Sequence, residues 1–319
     1  MPLVIDNPHE ESCTLAECVA ALEDIAFLAD DPASTREAAD WMRRLANNRD
    51  FLGELLVDQL AGRTGALIDS AYGVQALMLS RPRLSRPGAA FLRAAIWPAP
   101  HDHAFHASGP QSFVYGIAHD HNFDFLTVGY CGPGYASDYY EEDYQALAGY
   151  TGEGAGLRFV ERSALTPGKL MLYRRHVDVH CQHPPESLSV SLNLIAVDPA
   201  QAWFDQYGFD LERGTLARLL NPNVQEVLLK VAVASGTDAA LDYAAWVGAH
   251  HPSDRLRLAS FAARAEIAAD AEAAEAIWRA AELSGSRMVA GAARARRRML
   301  SALGPAHILI DHRRFGCLG

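Results

Sequence analysis

The sequence is best interpreted outward from residues 113–129, which read FVYGIAHDHNFDFLTVG. His119 and His121 lie two positions apart in this stretch, with apolar residues before and after them. Because side chains alternate between the two faces of a β-strand, both imidazoles should point to one face and Asp120 to the other. Two imidazoles on the same face can bind one metal cation. The stretch therefore predicts a strand that carries two metal ligands.

A third ligand must come from another part of the chain, and His180 is the predicted one. It follows a Pro-Gly turn at residues 167–168, an apolar segment at 169–173 and a short polar segment. His176 and His183 lie on either side of it and remain alternatives, since a small error in the assumed register would exchange them. A second histidine cluster, at His101, His103 and His106, indicates either an exposed loop or a further metal site.

The segments around these histidines have the pattern of an all-β region. From about residue 66, short apolar segments are separated by Pro and Gly, and strands are predicted at 74–80, 89–97, 112–119, 124–131, 157–162, 169–175 and 188–197. Short strands joined by turns, without helices between them, favour an antiparallel barrel or jelly roll. Residues 138–144, which are acidic and aromatic, are predicted to form a solvated loop, with a lid over the site as the alternative.

At this point the chain resembles the metal-dependent cupin superfamily. The residues that match its two motifs are Gly116, His119, His121 and Gly129 in the first motif, and Pro167, Gly168 and His180 in the second. The resemblance covers about residues 66–200 and implies a cupin-type antiparallel β-barrel, the double-stranded β-helix or jelly roll, around a metal held by three histidines. The glutamate usual in the first motif is absent. Asp124 lies near its position and is the candidate for a fourth ligand.

Within the superfamily, the HDH segment is most similar to three-histidine thiol dioxygenases such as cysteine dioxygenase. That resemblance implies Fe(II) as the metal and dioxygen as a co-substrate, and it makes Arg93 a candidate to hold a substrate carboxylate. Tyr115 and Tyr173 lie in the predicted ligand-bearing strands and are further candidate catalytic residues. The cysteine that forms a thioether crosslink in some of these enzymes would fall near Leu126, which puts cysteine as the substrate in doubt.

The predicted function is a mononuclear non-haem Fe(II) cupin oxygenase that oxidises a small-molecule or peptide substrate. The same ligands also accommodate Zn, Mn, Ni or Cu. A requirement for 2-oxoglutarate stays open, although the histidine at position 121 disfavours it. Two alternatives are a non-redox metal cupin, which would be an isomerase, lyase or hydrolase, and a cupin ligand-binding or regulatory protein. Phosphate-loop, HExxH and GxSxG motifs are absent from the sequence.

Helical regions are predicted on both sides of the barrel, which makes the expected fold class α+β. Residues 1–65 form the predicted N-terminal helical region, 66–200 the barrel and 201–319 the C-terminal α-helical domain. Capping boxes at Thr14–Glu17 and Ser34–Glu37 mark two helix starts, and a third helix is predicted at 50–60. Five more helices are predicted at 223–234, 238–249, 254–267, 271–283 and 287–303.

Composition limits the partners and the compartment. The 28 basic and 39 acidic residues give a net charge of −11, which argues against nucleic acid as a partner. No apolar stretch approaches the roughly 20 residues that span a bilayer, and the acidic N-terminus lacks the features of a signal peptide, so a cytoplasmic protein without membrane contact is expected. The five cysteines include no CxxC pair and are expected to be reduced. The alanine-rich helices offer surfaces for a homodimer.

Overall fold

The computed structural model describes residues 1–63, 75–84, 88–221 and 223–303. The chain divides into two compact units, one of residues 1–144 and 156–211, the other of residues 145–155 and those from 212 onward. The first unit thus includes the N-terminal helices, which the sequence analysis treats as a separate region. The predicted boundary at residues 65 and 66, and the predicted strand start at Val74, lie outside the described residues.

Three N-terminal helices begin the first unit: α1 (Leu15–Ile25), α2 (Pro32–Asn47) and α3 (Phe51–Leu60). The predicted capping box of α1 is confirmed, because the Thr14 hydroxyl accepts a hydrogen bond from the Glu17 amide and the Glu17 carboxylate accepts one from the Thr14 amide. The box predicted at Ser34–Glu37 is wrong. Asp31 caps α2 instead, with Pro32 as the first helical residue, so Ser34 lies inside the helix.

The strands of the first unit form two antiparallel sheets. The first consists of β1 (Leu3–Ile5), β2 (Ala76–Met78), β3 (Ala90–Trp97), β5 (Phe125–Cys131), β8 (Leu170–Tyr173) and β10 (Ser189–Ala196), in the order β1-β8-β5-β10-β3-β2. The second includes β4 (Ala118–His119), β6 (Ala136–Glu141), β7 (Arg158–Ala164), β9 (Asp178–Gln182) and β11 (Tyr207–Asp210), in the order β11-β4-β9-β6-β7. The α+β class is confirmed, with the described strands arranged as two sheets rather than as one closed barrel.

The alternation of side chains on β3 shows how the layers pack. Leu92 and Ala94 lie in a core with residues of α1, α2 and α3, so these helices cover one face of the first sheet. Phe91 and Trp97 point to the other face and share a second core with Tyr139 on β6 of the second sheet. The space between the two sheets is therefore lined largely by aromatic side chains.

Two segments differ from their predicted structure. The strand predicted at 112–119 is mostly wrong, because Pro110–Phe113 is a 3₁₀ helix and Val114 has a left-handed backbone with φ of 62°, which leaves only the two residues of β4 extended. Residues 138–144 were predicted as a loop, and this too is wrong for their first half, which belongs to β6. The strands β1, β9 and β11 were not predicted, and β1 lies in the region predicted to be helical. The first unit also contains the short helix α4 (His103–Ser108).

The second unit contains the strand β12 (Thr215–Leu219) and five helices: α5 (Val224–Ala234), α6 (Asp238–His250), α7 (Asp254–Glu266), α8 (Ala271–Glu282) and α9 (Arg287–Leu303). All five helices were predicted, and their ends agree to within one residue. Phe261, Trp278 and Val289 form one of the cores between them. Across the described residues, none of the helices combines the length and the apolar character that a membrane span requires. The four cysteines in the described part of the chain are free thiols.

Candidate metal centre

The three histidines predicted as ligands meet between the two sheets. His119 on β4 lies directly opposite His180 on β9, and the Nε2 atoms of the two rings are 3.2 Å apart. His121 joins them, and one ligand atom from each ring lies within 4.8 Å of the others. All three side chains are buried. Two positions in one short segment and one in the paired strand thus form a single cluster of nitrogen donors.

The orientation of His119 leaves one nitrogen available. Its Nδ1 lies 2.8 Å from the carbonyl oxygen of Ile117. A carbonyl only accepts hydrogen bonds, so Nδ1 carries the proton and donates it, and the lone pair of the neutral ring is on Nε2. This arrangement, in which the second nitrogen is fixed by a backbone carbonyl, is common for metal-binding histidines.

The protein environment disfavours a positive charge on two of the histidines. Burial lowers the pKa of His121 and of His180 well below its usual range, and the neighbouring histidines lower it further. Metal binding requires the unprotonated imidazole, and the lowered pKa of His121 and His180 favours that form. Three clustered and buried nitrogen donors fit a divalent transition-metal ion.

Two buried tyrosines line the site beside His180. Tyr139 is the register partner of His180 on the neighbouring strand β6, and its ring stacks on the imidazole at 6.5 Å between centroids. The ring of Tyr173, on β8 of the first sheet, lies 5.0 Å from that of His180. The two hydroxyl oxygens are 3.0 Å apart and form a hydrogen bond. Burial raises the pKa of both phenols.

Tyr173 was a predicted site residue, whereas sequence reasoning missed Tyr139. The signal that could have found it is the alternation in residues 137–141, where Ser137 and Tyr139 are buried and the residues between and after them are partly exposed. Tyr115, also predicted, lies in the aromatic core, where its hydroxyl donates to the carbonyl of Pro98 at 3.0 Å. Its catalytic role stays a prediction.

Arg93 points into the space between the sheets. It lies on the same face of β3 as Phe91 and Ala95, which belong to the inner core. Its charge contributes to the lowered pKa of His121. Its register partner on the neighbouring strand β10 is Asn193, whose side-chain oxygen accepts a hydrogen bond from the Thr127 hydroxyl. The structure therefore brings a guanidinium group, predicted from the sequence as an anion-binding residue, to the same interior as the histidines.

The other predicted candidates lie outside the cluster. In the described part of the chain, the group that could hold a metal contains the three histidines and not Asp124. The Asp124 carboxylate accepts a hydrogen bond from the Arg175 amide at 2.8 Å and forms an ion pair with the same arginine. His183 pairs with Asp138 at 2.9 Å. His176 packs its ring against another aromatic side chain. His101, His103 and His106 are exposed.

The reverse side of the ligand-bearing strand carries a buried carboxylate pair. Asp120 is fully buried and accepts a hydrogen bond from the backbone amide of Tyr207 on β11. Glu142 lies beside it, and burial, together with the nearby charge of Asp120, raises the pKa of Glu142 far above its usual range. Burial thus favours the protonated form of Glu142, while Asp120 fixes the segment between His119 and His121.

Donor chemistry, and not cavity size, identifies this site. A surface cavity of about 440 Å³ is lined by residues 6–10, Arg36 and Asp40, and it includes none of the predicted ligands.

Comparison with known proteins gives only distant similarities. No protein-family model and no curated protein matches the chain. It is similar to a chain from the crystal structures of the DMSP lyases RdDddP and RnDddQII, with 11% identity and a TM-score of 0.26 over 65% of this chain and 84% of that one. The DMSP lyase DddQ from Ruegeria pomeroyi DSS-3 has 12% identity and a TM-score of 0.20, over 62% of this chain and 79% of that one. RmlC from Streptococcus suis, in complex with dTDP-D-xylose, has 14% identity and a TM-score of 0.18, over 44% of this chain and 74% of that one. At TM-scores this low the similarity supports no inference about this chain.

Proposed function

We propose that this protein is a cupin-type metal enzyme whose cation acts as a Lewis acid, and that it catalyses a lyase or isomerase reaction that starts with removal of a proton from a small carboxylate-bearing substrate. One observation carries the proposal: two buried tyrosines, whose hydroxyls bond to each other, pack their rings against His180, which is one of three clustered and buried histidines. This arrangement supplies both a cation site and a group that exchanges protons within one enclosed space.

Each residue has a separate role in this proposal. His119, His121 and His180 hold the cation, which, when bound, polarises a substrate oxygen and makes the adjacent C–H bond more acidic. Arg93 binds the substrate carboxylate, for which a guanidinium offers two parallel hydrogen bonds. The aromatic core around these residues excludes water, which strengthens every electrostatic interaction inside the site.

The tyrosine pair handles the proton. Before the substrate binds, the Tyr173 hydroxyl gives up its own proton to solvent. The resulting phenolate oxygen then accepts the proton from the substrate carbon, and the electron pair of that C–H bond forms a new double bond as the leaving group departs with its own bonding pair. The hydroxyl of Tyr139, at 3.0 Å, donates a hydrogen bond that stabilises the phenolate before the transfer. Because burial raises the pKa of both phenols, a phenolate at this position is a strong base.

An Fe(II) oxygenase is the second candidate. It is favoured by the ligand group itself, which in the described residues contains three imidazoles and no carboxylate, as expected from the resemblance to three-histidine dioxygenases. In that case dioxygen would be consumed and the tyrosine pair would orient the substrate.

Metal content and metal dependence test the proposal. Protein purified without added metal or chelator should contain about one divalent ion per chain, and His121→Ala should lose it. The matched control is His183→Ala, which removes a histidine that pairs with Asp138 at the surface and should leave the metal in place. Turnover of candidate carboxylates with Zn²⁺ and without oxygen uptake is expected. Oxygen uptake that requires Fe(II) would favour the oxygenase, and absence of bound metal in the wild type would refute both.

A further inference from the structure

Gln182 is a polar residue at the metal site that has no role in the proposed function. It lies on β9 two positions after His180, and because side chains alternate along a strand, both point to the same face. Gln182 is 3% exposed, and its amide nitrogen lies 3.0 Å from Nε2 of His180. That imidazole nitrogen is also the one that lies 3.2 Å from Nε2 of His119.

The amide has a second end that is unsatisfied. The Oε1 atom of Gln182 is buried and makes no hydrogen bond to any residue in the described part of the chain. A buried polar atom in this condition destabilises a fold, so a native protein normally provides it with a partner. A rotation of about 180° around the terminal torsion exchanges the oxygen and the nitrogen of a glutamine. After that rotation, the oxygen occupies the position facing the histidine nitrogens.

We propose that Gln182 is the fourth protein ligand of the metal, bound through its amide oxygen. The inference rests on the proposed metal centre and deepens it. In the metal-free site, the amide N–H donates to the lone pair of His180. A bound cation needs that lone pair, so metal binding removes the acceptor of the N–H group and at the same time gives the amide oxygen a partner.

This assignment replaces the carboxylate that the first histidine motif lacks. Asp124, the candidate from the sequence, is held by Arg175 through its amide and guanidinium groups. Gln182 instead comes from the strand of the third histidine. A glutamine is neutral, so a divalent ion with four such ligands keeps its full double charge. The bound ion would therefore be a stronger Lewis acid than an ion with a carboxylate ligand, and the site would attract an anionic substrate more strongly. The inward position of Arg93 agrees with this.

Co²⁺ binding to the full-length chain tests the assignment without an activity assay. Gln182→Leu keeps the approximate size of the side chain and removes the amide oxygen. We expect its affinity for Co²⁺ to fall by about 10-fold or more, the effect typical of lost interactions around a metal, and the visible absorption bands of the bound ion to change. Gln182→Glu retains an oxygen at the same distance and should bind Co²⁺ at least as tightly as the wild type, with a shifted spectrum.

The matched control is Gln75→Leu. Gln75 is also buried, but its amide donates to the carbonyl of Phe113, so affinity and spectrum should stay unchanged. Wild-type affinity and an unchanged spectrum in Gln182→Leu would overturn the assignment and leave the three-histidine centre intact. If Gln182→Leu does not fold, an unchanged spectrum in Gln182→Glu overturns it equally. Failure of the wild type to bind Co²⁺ would refute the metal centre itself.

Discussion

Replacement of Tyr173 with phenylalanine should destabilise the metal-free protein by about 1–3 kcal/mol, the usual cost of leaving a buried hydroxyl without its partner. The structure sets this magnitude, because both tyrosines are almost fully buried and their hydroxyls bond to each other at 3.0 Å. Among the remaining partners of the Tyr139 hydroxyl is the sulfur of Met171, at 3.9 Å, which is a weak acceptor. Tyr139→Phe should lower the free energy of unfolding by a similar amount, because it leaves the Tyr173 hydroxyl without its hydrogen-bond partner.

The double variant distinguishes this explanation from a general loss of packing. When both hydroxyls are removed, neither remains unsatisfied, so the double variant should be more stable than the sum of the two single losses predicts, by about 1–3 kcal/mol. Guanidinium unfolding of the four proteins, followed by near-UV circular dichroism of the aromatic core, measures the coupling. Single variants that cost less than about 0.5 kcal/mol, or losses that simply add, would refute the reasoning.

The same variants separate stability from chemistry. The double variant keeps all three histidines and should bind metal like the wild type. If Tyr173 accepts the substrate proton, this folded, metal-loaded protein should nevertheless have lost at least about 100-fold in kcat, the lower range for removal of a general base. Wild-type turnover would exclude the tyrosine pair from proton transfer.

Three further predictions concern pH and metal. Because burial depresses the pKa of His121 and His180, the unfolded chain binds more protons than the folded one as pH falls below 6.5, so metal-free protein should lose stability with acidification, measured as Tm from pH 8 to pH 5. Glu142 has a raised pKa and keeps its proton in the folded state above 4.5, so stability falls as pH rises, and Glu142→Gln should raise Tm more at pH 8 than at pH 4. Zn²⁺ at about 100 times its Kd should add about 2.7 kcal/mol, and no rise in Tm would contradict specific binding.

The features that the sequence revealed are those in which polarity follows the period of the element. The helices of the second unit have capping residues such as Asn223, Thr237 and Ser253, each of which accepts the hydrogen bond expected of an N-cap, and their limits were predictable for that reason. The pair at positions 119 and 121 was also readable from its spacing, although only His119 lies in a strand, β4, and His121 follows it.

The strands that the sequence did not predict were missed for the opposite reason, because polar residues in them are buried. All five residues of β9 are buried, and they include Asp178, His180 and Gln182, so the segment has the composition of a polar turn. In β6, by contrast, the buried Ser137 and Tyr139 alternate with partly exposed residues, but the acidic residues Asp138 and Glu141 give the segment the composition of a loop. Residues that serve a site break the pattern of apolar interior and polar surface, and pattern-based prediction fails there.

Contacts on both sides of β4 explain how so short a strand, together with the residues that follow it, can position two candidate ligands. Only Ala118 and His119 are extended, yet the strand is held on both sides, by β9 opposite His119 and by β11 opposite the same two residues. Immediately after it, the amide of Tyr207 fixes the Asp120 side chain between the two histidines. Neither neighbour is close in sequence, so the HDH segment has its geometry only in the folded unit. If this cluster binds a metal as proposed, the ordering cost of bringing the ligands together is met by folding rather than by binding.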